Sequence, residues 1–184
     1  LNVLSHFDLT KYAPLSVERL HLEAEAGRVA YMMREMHIAD PQHVDVDLAR
    51  ILAKEFAAEF AAKIKMDRML DLPNVWPRPN PSTIYCTVVD KDRNACSFIN
   101  SIAHPFGSGI MSNKTGVLMQ NRGVGFRVQP DHPNCIAPGK RPLHTIIPCM
   151  VTKDRRAAMS FGVMGGQYQP VGQSHVLSNM LDFG

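Results

Sequence analysis

The tract NPSTIYCTVVD, residues 80–90, sets a Ser–Thr pair at the head of a run with strand character, just after a proline-rich turn. Thr83 is therefore a candidate hydroxyl nucleophile. A threonine hydroxyl attacks poorly at its ordinary pKa and needs a base beside it; threonine is also simply common in strands. The other reactive side chains are less suggestive. Cys86, Cys96, Cys135 and Cys149 form no CxxC pair and have apolar flanks. They read as reduced, mostly buried thiols of a cytosolic protein, with two disulfides as the less favoured alternative. The histidines show no metal-ligand spacing, so no metal is called for.

These residues need elements to hold them. From Ser16 to His37 the sequence SVERLHLEAEAGRVAYMMREMH is rich in helix formers, with Ser16 placed to cap the start. Pro41 closes any helix before it. A second helix is expected from about Val46 to Lys65, where Leu48, Leu52, Phe56, Phe60 and Ile64 recur every four residues as one apolar stripe. Leu70–Ser82 contains four prolines and reads as a connector, with Trp76 able to tether it. After Thr83 the texture is that of strands. TIYCTVVD and ACSFINSIA flank the polar turn KDRN; GVLMQN, TIIPCMVT and AAMSFGVMGG are further candidates. VGQSHVLSNMLDFG begins as a helix. Helices, a joint and an antiparallel sheet make an α+β layout. The 184 residues suit one ordinary domain or part of a larger one. The net charge of +3 is small and its basic residues are dispersed, which argues against nucleic-acid binding. No apolar run approaches the roughly 18 residues of a membrane span. The free thiols suggest a cytoplasmic location; a periplasmic or secreted one stays open because the chain starts at Leu1 without Met.

Taken in order, TVVDKDRNACSFINS, FGSGI, TGVLMQNRG, HPNCIAPGKRPLHTIIPCMV and SFGVMGGQYQP resemble the γ-glutamyltransferase family of N-terminal-nucleophile hydrolases. The helical half joins in through LNVLSHFDL and LHLEAEAGRVAY. The resemblance implies an αββα sandwich, present here in part, with antiparallel sheets flanked by helices. It makes residues 1–82 the end of a large-subunit-like segment with its connector, and 83–184 a small-subunit-like segment, together one composite domain. It also implies that the precursor cuts itself between Ser82 and Thr83, and that Thr83 then serves as catalytic nucleophile. The freed α-amino group, with a pKa of about 7.7–8.0, would be the base, so no cofactor is needed. Ser101 matches the hydroxyl that supports the nucleophile; a strand serine facing solvent is the plainer reading. Gly165 and Gly166 match the backbone N–H donors of an oxyanion hole, though a glycine pair also makes a turn.

Departures from the family pattern bear on the substrate. Where γ-glutamyl enzymes clamp the donor's α-amino and α-carboxylate groups, this chain has Ala103, Arg122, Gly125 and the pair His144 and Thr145. A guanidinium favours a carboxylate and repels an ammonium group. Arg122, His144 and Thr145 are thus candidate substrate-binding residues, with a surface salt bridge as the other role open to Arg122 and a loop cap as that for His144. The QNRG form is similar to the branch containing oxamate amidohydrolase and glutaryl-type cephalosporin acylases. The expected activity is attack on a small carboxylate-bearing amide. A true γ-glutamyltransferase and an inactive piece with a structural role are the alternatives. The expected partners are the small amide substrate and the remaining large-subunit portion of the same precursor, with no nucleic acid or membrane and a homodimer left open.

Overall fold

The computed structural model describes residues 1–73 and 83–184. The expected connector, Trp76 and Ser82 fall wholly or largely outside these. The described residues divide into two units. One takes in residues 1–73, Phe126–Leu143 and Ser174–Gly184; the other takes in residues 83–125 and His144–Gln173.

The first unit is built on helix α1, Val17–His37, whose Ser16 hydroxyl accepts a hydrogen bond from Arg19 N at 3.3 Å, as the sequence predicts. Leu22 and Ala26 of α1 bury against Leu4, Leu9 and Ile64, with Val3, Phe7, Tyr12 and Leu70 around them. The two short 3-10 turns Leu4–His6 and Leu9–Lys11 supply the leucines. Arg19 is wholly buried: it donates to Leu9 O at 3.1 Å and to Asp182 at 2.8 Å, its Nε lies 3.3 Å from Glu23 Oε1, and it stacks 4.8 Å from the Phe183 ring. Asp40, beyond the end of α1, receives three hydrogen bonds from Arg141, a hundred residues later, through the backbone N–H, Nε and Nη2.

The single helix expected over Val46–Lys65 is instead two, α2 (Leu48–Ile51) and α3 (Lys54–Ala61). Ala53 is extended, and the Leu52 carbonyl is taken at 2.6 Å by the Asn2 amide rather than by the next turn. The four-residue stripe breaks with it. Ile64 is buried and Phe56 packs edge-on to Phe60, whereas Leu48 and Leu52 are exposed.

The second unit holds two antiparallel hairpins. Strands β1 (Thr83–Val89) and β2 (Ala95–Ser101) pair in register from Thr83↔Ser101 to Val89↔Ala95. The turn between them is the predicted one, closed by the Asp90 carboxylate, which accepts from the N–H groups of Asp92 and Asn94. Strands β3 (Cys149–Lys153) and β4 (Arg156–Phe161) pair with a bulge between Val151 and Thr152. Only the second half of TIIPCMVT is strand; Pro148, which cannot donate to a ladder, immediately precedes it. GVLMQN is not a strand. It contributes one bridge, Met111↔Leu118, within a loop whose glycines Gly107, Gly109 and Gly116 all have positive φ.

Helix α4, Gln169–Phe183, follows, its residues to Gln173 belonging to the second unit and those from Ser174 to the first. All four thiols are free, but they are not mostly buried: Cys86 and Cys96 are exposed, and Cys135 and Cys149 are half-buried. Strand alternation is the cause, since it turns Cys86 and Cys96 to the outer face of the first hairpin with Ile84, Val88 and Phe98. Among the described residues, no helix is long and apolar enough to cross a membrane.

Candidate functional site

Every described candidate from the sequence lies in the second unit. Thr83 opens β1 and Ser101 closes β2, directly opposite each other. Their side chains therefore share one face of the hairpin, and Thr83 Oγ1 donates to Ser101 Oγ at 3.3 Å. Ser101 is half-buried rather than solvent-facing, and its Oγ also accepts from Ala103 N at 3.1 Å. That bond accompanies a left-handed backbone at Ala103, φ 73°, which an alanine adopts only when its surroundings fix it.

Arg122 starts the 3-10 turn Arg122–Gly125 and is 8% exposed. The surface salt bridge open to it in the sequence is not what it makes. Its Nη1 donates to Thr145 Oγ1 at 2.6 Å and its Nη2 to the Ser101 carbonyl at 3.4 Å. Among the described residues, no carboxylate lies within salt-bridge distance of it. Burial accordingly pulls the Arg122 pKa below its ordinary value. His144 is close enough to feel that charge: burial first, and Arg122 second, lower its pKa. Its Nδ1 accepts from Ile146 N at 3.4 Å, which assigns the imidazole proton to Nε2. So the structure joins Thr83, Ser101, Arg122 and Thr145 through hydrogen bonds, with His144 beside Arg122.

The glycine pair follows β4. Gly165 has φ 122° and Gly166 φ 58°, and Gly166 is buried at the start of the 3-10 turn Gly166–Tyr168. The first of these conformations in particular belongs to glycine alone. Among the described residues, neither glycine N–H donates a backbone hydrogen bond. Hydroxyls tie the strand before this pair to β1. Thr87 Oγ1 donates to Ser160 Oγ at 2.7 Å, the Tyr85 hydroxyl lies 3.1 Å from the same oxygen, and the Tyr85 ring packs on Gly162. These contacts join Ser160 and Gly162 to Thr87 and Tyr85 of β1.

Two positioning groups escape the sequence reading. One is the hydroxyl ladder of Tyr85, Thr87, Ser97 and Ser160; the alternate spacing of Thr83, Tyr85 and Thr87 was its visible trace. The other is Asn121, whose Oδ1 accepts from His104 N at 3.0 Å while its backbone N–H donates to Ile102 O. It ties the turn after Ser101 to the residue before Arg122. Among the described residues, no group of three or more His, Cys, Asp or Glu side chains could hold a metal.

The α+β architecture, with its helices and paired antiparallel strands, is that of an N-terminal-nucleophile hydrolase. A family model described as gamma-glutamyltranspeptidase matches residues 1–184, and the chain belongs to that family. It is 36% identical over 184 residues to the glutathione hydrolase-like YwrD proenzyme of Bacillus subtilis, covering 100% of this chain and 34% of that protein. To the oxamate amidohydrolase proenzyme of Klebsiella pneumoniae it is 35% identical over 182 residues, covering 98% of this chain and 34% of the relative. The cephalosporin acylase of Bacillus halodurans superposes with a TM-score of 0.85 at 35% identity, over all of this chain and 33% of that one. The chain thus spans about a third of the length of the relatives it matches.

Proposed function

We propose that this chain carries the nucleophile and the acyl pocket of an amidohydrolase or acyltransferase whose substrate bears a carboxylate near the scissile amide. The observation that carries the reading is Arg122: a buried guanidinium, one bond away from Ser101 and hence two from Thr83, with no carboxylate of the described chain to neutralise it. A desolvated charge of this kind is stabilised by an opposite charge brought by a ligand. Names among the relatives, oxamate amidohydrolase and cephalosporin acylase, agree with such a substrate.

The chemistry runs in two stages. In maturation, Thr83 Oγ attacks the Ser82 carbonyl carbon, the C–N bond breaks, and the nitrogen takes the hydroxyl proton. That breakage frees the Thr83 α-amino group; water then hydrolyses the ester, releasing the Ser82 carboxylate and restoring the Thr83 hydroxyl. In turnover that amine accepts the Thr83 hydroxyl proton as Oγ bonds to the substrate carbonyl carbon. Ser101 holds Oγ in place, and the Gly165 and Gly166 N–H groups receive the oxyanion. The amine product leaves with the proton, and water or a second amine takes the acyl group from Thr83. Arg122, with Thr145 orienting it and His144 alongside, holds the substrate carboxylate. The rest of the precursor completes the site.

Mass measurement on the full-length protein tests the first stage. Wild type is expected as two pieces, the second beginning at Thr83, and Thr83→Ala as one chain. If both remain uncut, the processing claim fails. For the second stage, oxamate, a glutaryl amide and a γ-glutamyl anilide are compared as substrates. Arg122→Met is expected to lower kcat/KM on the carboxylate-bearing amides by about 10- to 100-fold. Undiminished activity removes Arg122 from the site. Preference for the γ-glutamyl donor would favour the second reading, a glutathione-type hydrolase, which the name of the Bacillus subtilis relative supports.

A further inference from the structure

The loop that carries His144 and Thr145 is held in an unusual way. Ile147, two residues after Thr145, sits in no strand or helix. Its backbone N–H donates to Gln169 Oε1 at 3.1 Å, and its carbonyl accepts from Gln173 Nε2 at 2.6 Å. Two side chains one helical turn apart on α4 thus do for this peptide what a neighbouring strand would do. Pro148 follows, so no ladder bond is offered from the next residue either.

Gln169 also looks the other way. Its own backbone N–H donates to the Gly166 carbonyl. One residue therefore grips the glycine turn with its main chain and the His144–Thr145 loop with its side chain. Gln169 is 0% exposed, and among the described residues its Nε2 has no hydrogen-bond partner. An unmet buried donor costs free energy, so the glutamine is a poor choice for stability alone; an apolar side chain would pack there without that loss. What a glutamine supplies, and an apolar residue does not, is the acceptor for Ile147.

We propose that Gln169 and Gln173 are specificity-determining positioning residues, a two-point clamp on Ile147 that fixes where Thr145 stands and so aims Arg122 at the substrate carboxylate. This rests on the reading of Arg122 as the carboxylate-binding group. Thr145 Oγ1 is the shortest hydrogen-bond partner of the Arg122 guanidinium, and it is two residues from the clamped peptide. Releasing the clamp lets the threonine drift and the guanidinium with it, while Thr83, Ser101 and their bond on the first hairpin stay in place.

The test uses the full-length processed protein and two substrates, a glutaryl amide and the same amide with its distal carboxylate replaced by a carboxamide. The readout is the ratio of kcat/KM for the acid over the neutral analogue. Gln169→Met is expected to lower that ratio about tenfold, chiefly through KM for the acid. Gln169→Glu, which keeps an acceptor for Ile147 N–H, is expected to retain most of it. In an Arg122→Met background, Gln169→Met should change the ratio no further.

If Arg122→Met lowers the ratio but Gln169→Met does not, the clamp proposal is overturned while the Arg122 reading stands. If Arg122→Met leaves the ratio as it was, the reading beneath it fails instead. Should Gln169→Met not give folded protein, Gln173→Met, which removes the donor to the Ile147 carbonyl, is read by the same two outcomes.

Discussion

His144 shows how one residue's environment sets its charge. An ordinary imidazole titrates near 6.5; here burial and then the Arg122 guanidinium hold it lower, and Nδ1 already accepts a backbone N–H. The folded protein therefore disfavours the imidazolium, so this histidine's contribution to stability is complete above its unfolded pKa and declines as the pH falls through it. The proton NMR titration of His144 should have a midpoint below 6.5 in wild type and move upward in Arg122→Met. A midpoint that ignores the substitution would mean that the two do not interact. At this scale the sequence announced residue types but not their surroundings. The link between Ser101 and Thr83 came from the resemblance; the residues alone gave two strands and the polar turn between them. Whether Arg122 faced water was not readable, since desolvation is a property of everything packed around a side chain.

At the scale of elements, Gly162 is where the chain leaving β4 meets the Tyr85 ring of β1. Its backbone is not in the left-handed region, yet an added Cβ would overlap the Tyr85 ring. Gly162→Ala should cost about 1–3 kcal/mol in urea unfolding and lower turnover, because Tyr85 stands two residues from Thr83. A change within about 0.5 kcal/mol, the range of an ordinary surface substitution, would show that the ring moves freely. Local patterns predicted α1, the β1–β2 hairpin and the helix after Gly166 well, since each carries its own cap, turn or periodicity. The Val46–Lys65 helix was misread because its interruption comes from elsewhere: the Asn2 amide claims the Leu52 carbonyl from fifty residues away. Likewise the Ile147 backbone, strand-like in sequence, is satisfied by two glutamines that follow it by more than twenty residues.

At the scale of the whole molecule, the Asp40–Arg141 pairing, which joins residues 101 apart in sequence, makes stability depend on pH. Arg141 holds the Asp40 carboxyl well below the usual carboxylate range, mainly by direct hydrogen bonding from its side chain and backbone. A depressed folded pKa contributes stability above the unfolded value of 3.8 that fades as the pH falls below it. Asp40→Asn is expected to lower Tm at neutral pH and to flatten its decline below about pH 4, as followed by circular dichroism; an unaltered acid profile would count against the pairing. Arg122 has the opposite character, a buried cation with no carboxylate among the described residues within salt-bridge distance. Binding and folding are then thermodynamically linked: an anion that fits beside Arg122 favours the native state in proportion to the logarithm of its concentration over Kd, by about 2.7 kcal/mol at a hundredfold excess. The melting point, followed against a series of acids, then becomes a measure of which of them bind beside Arg122.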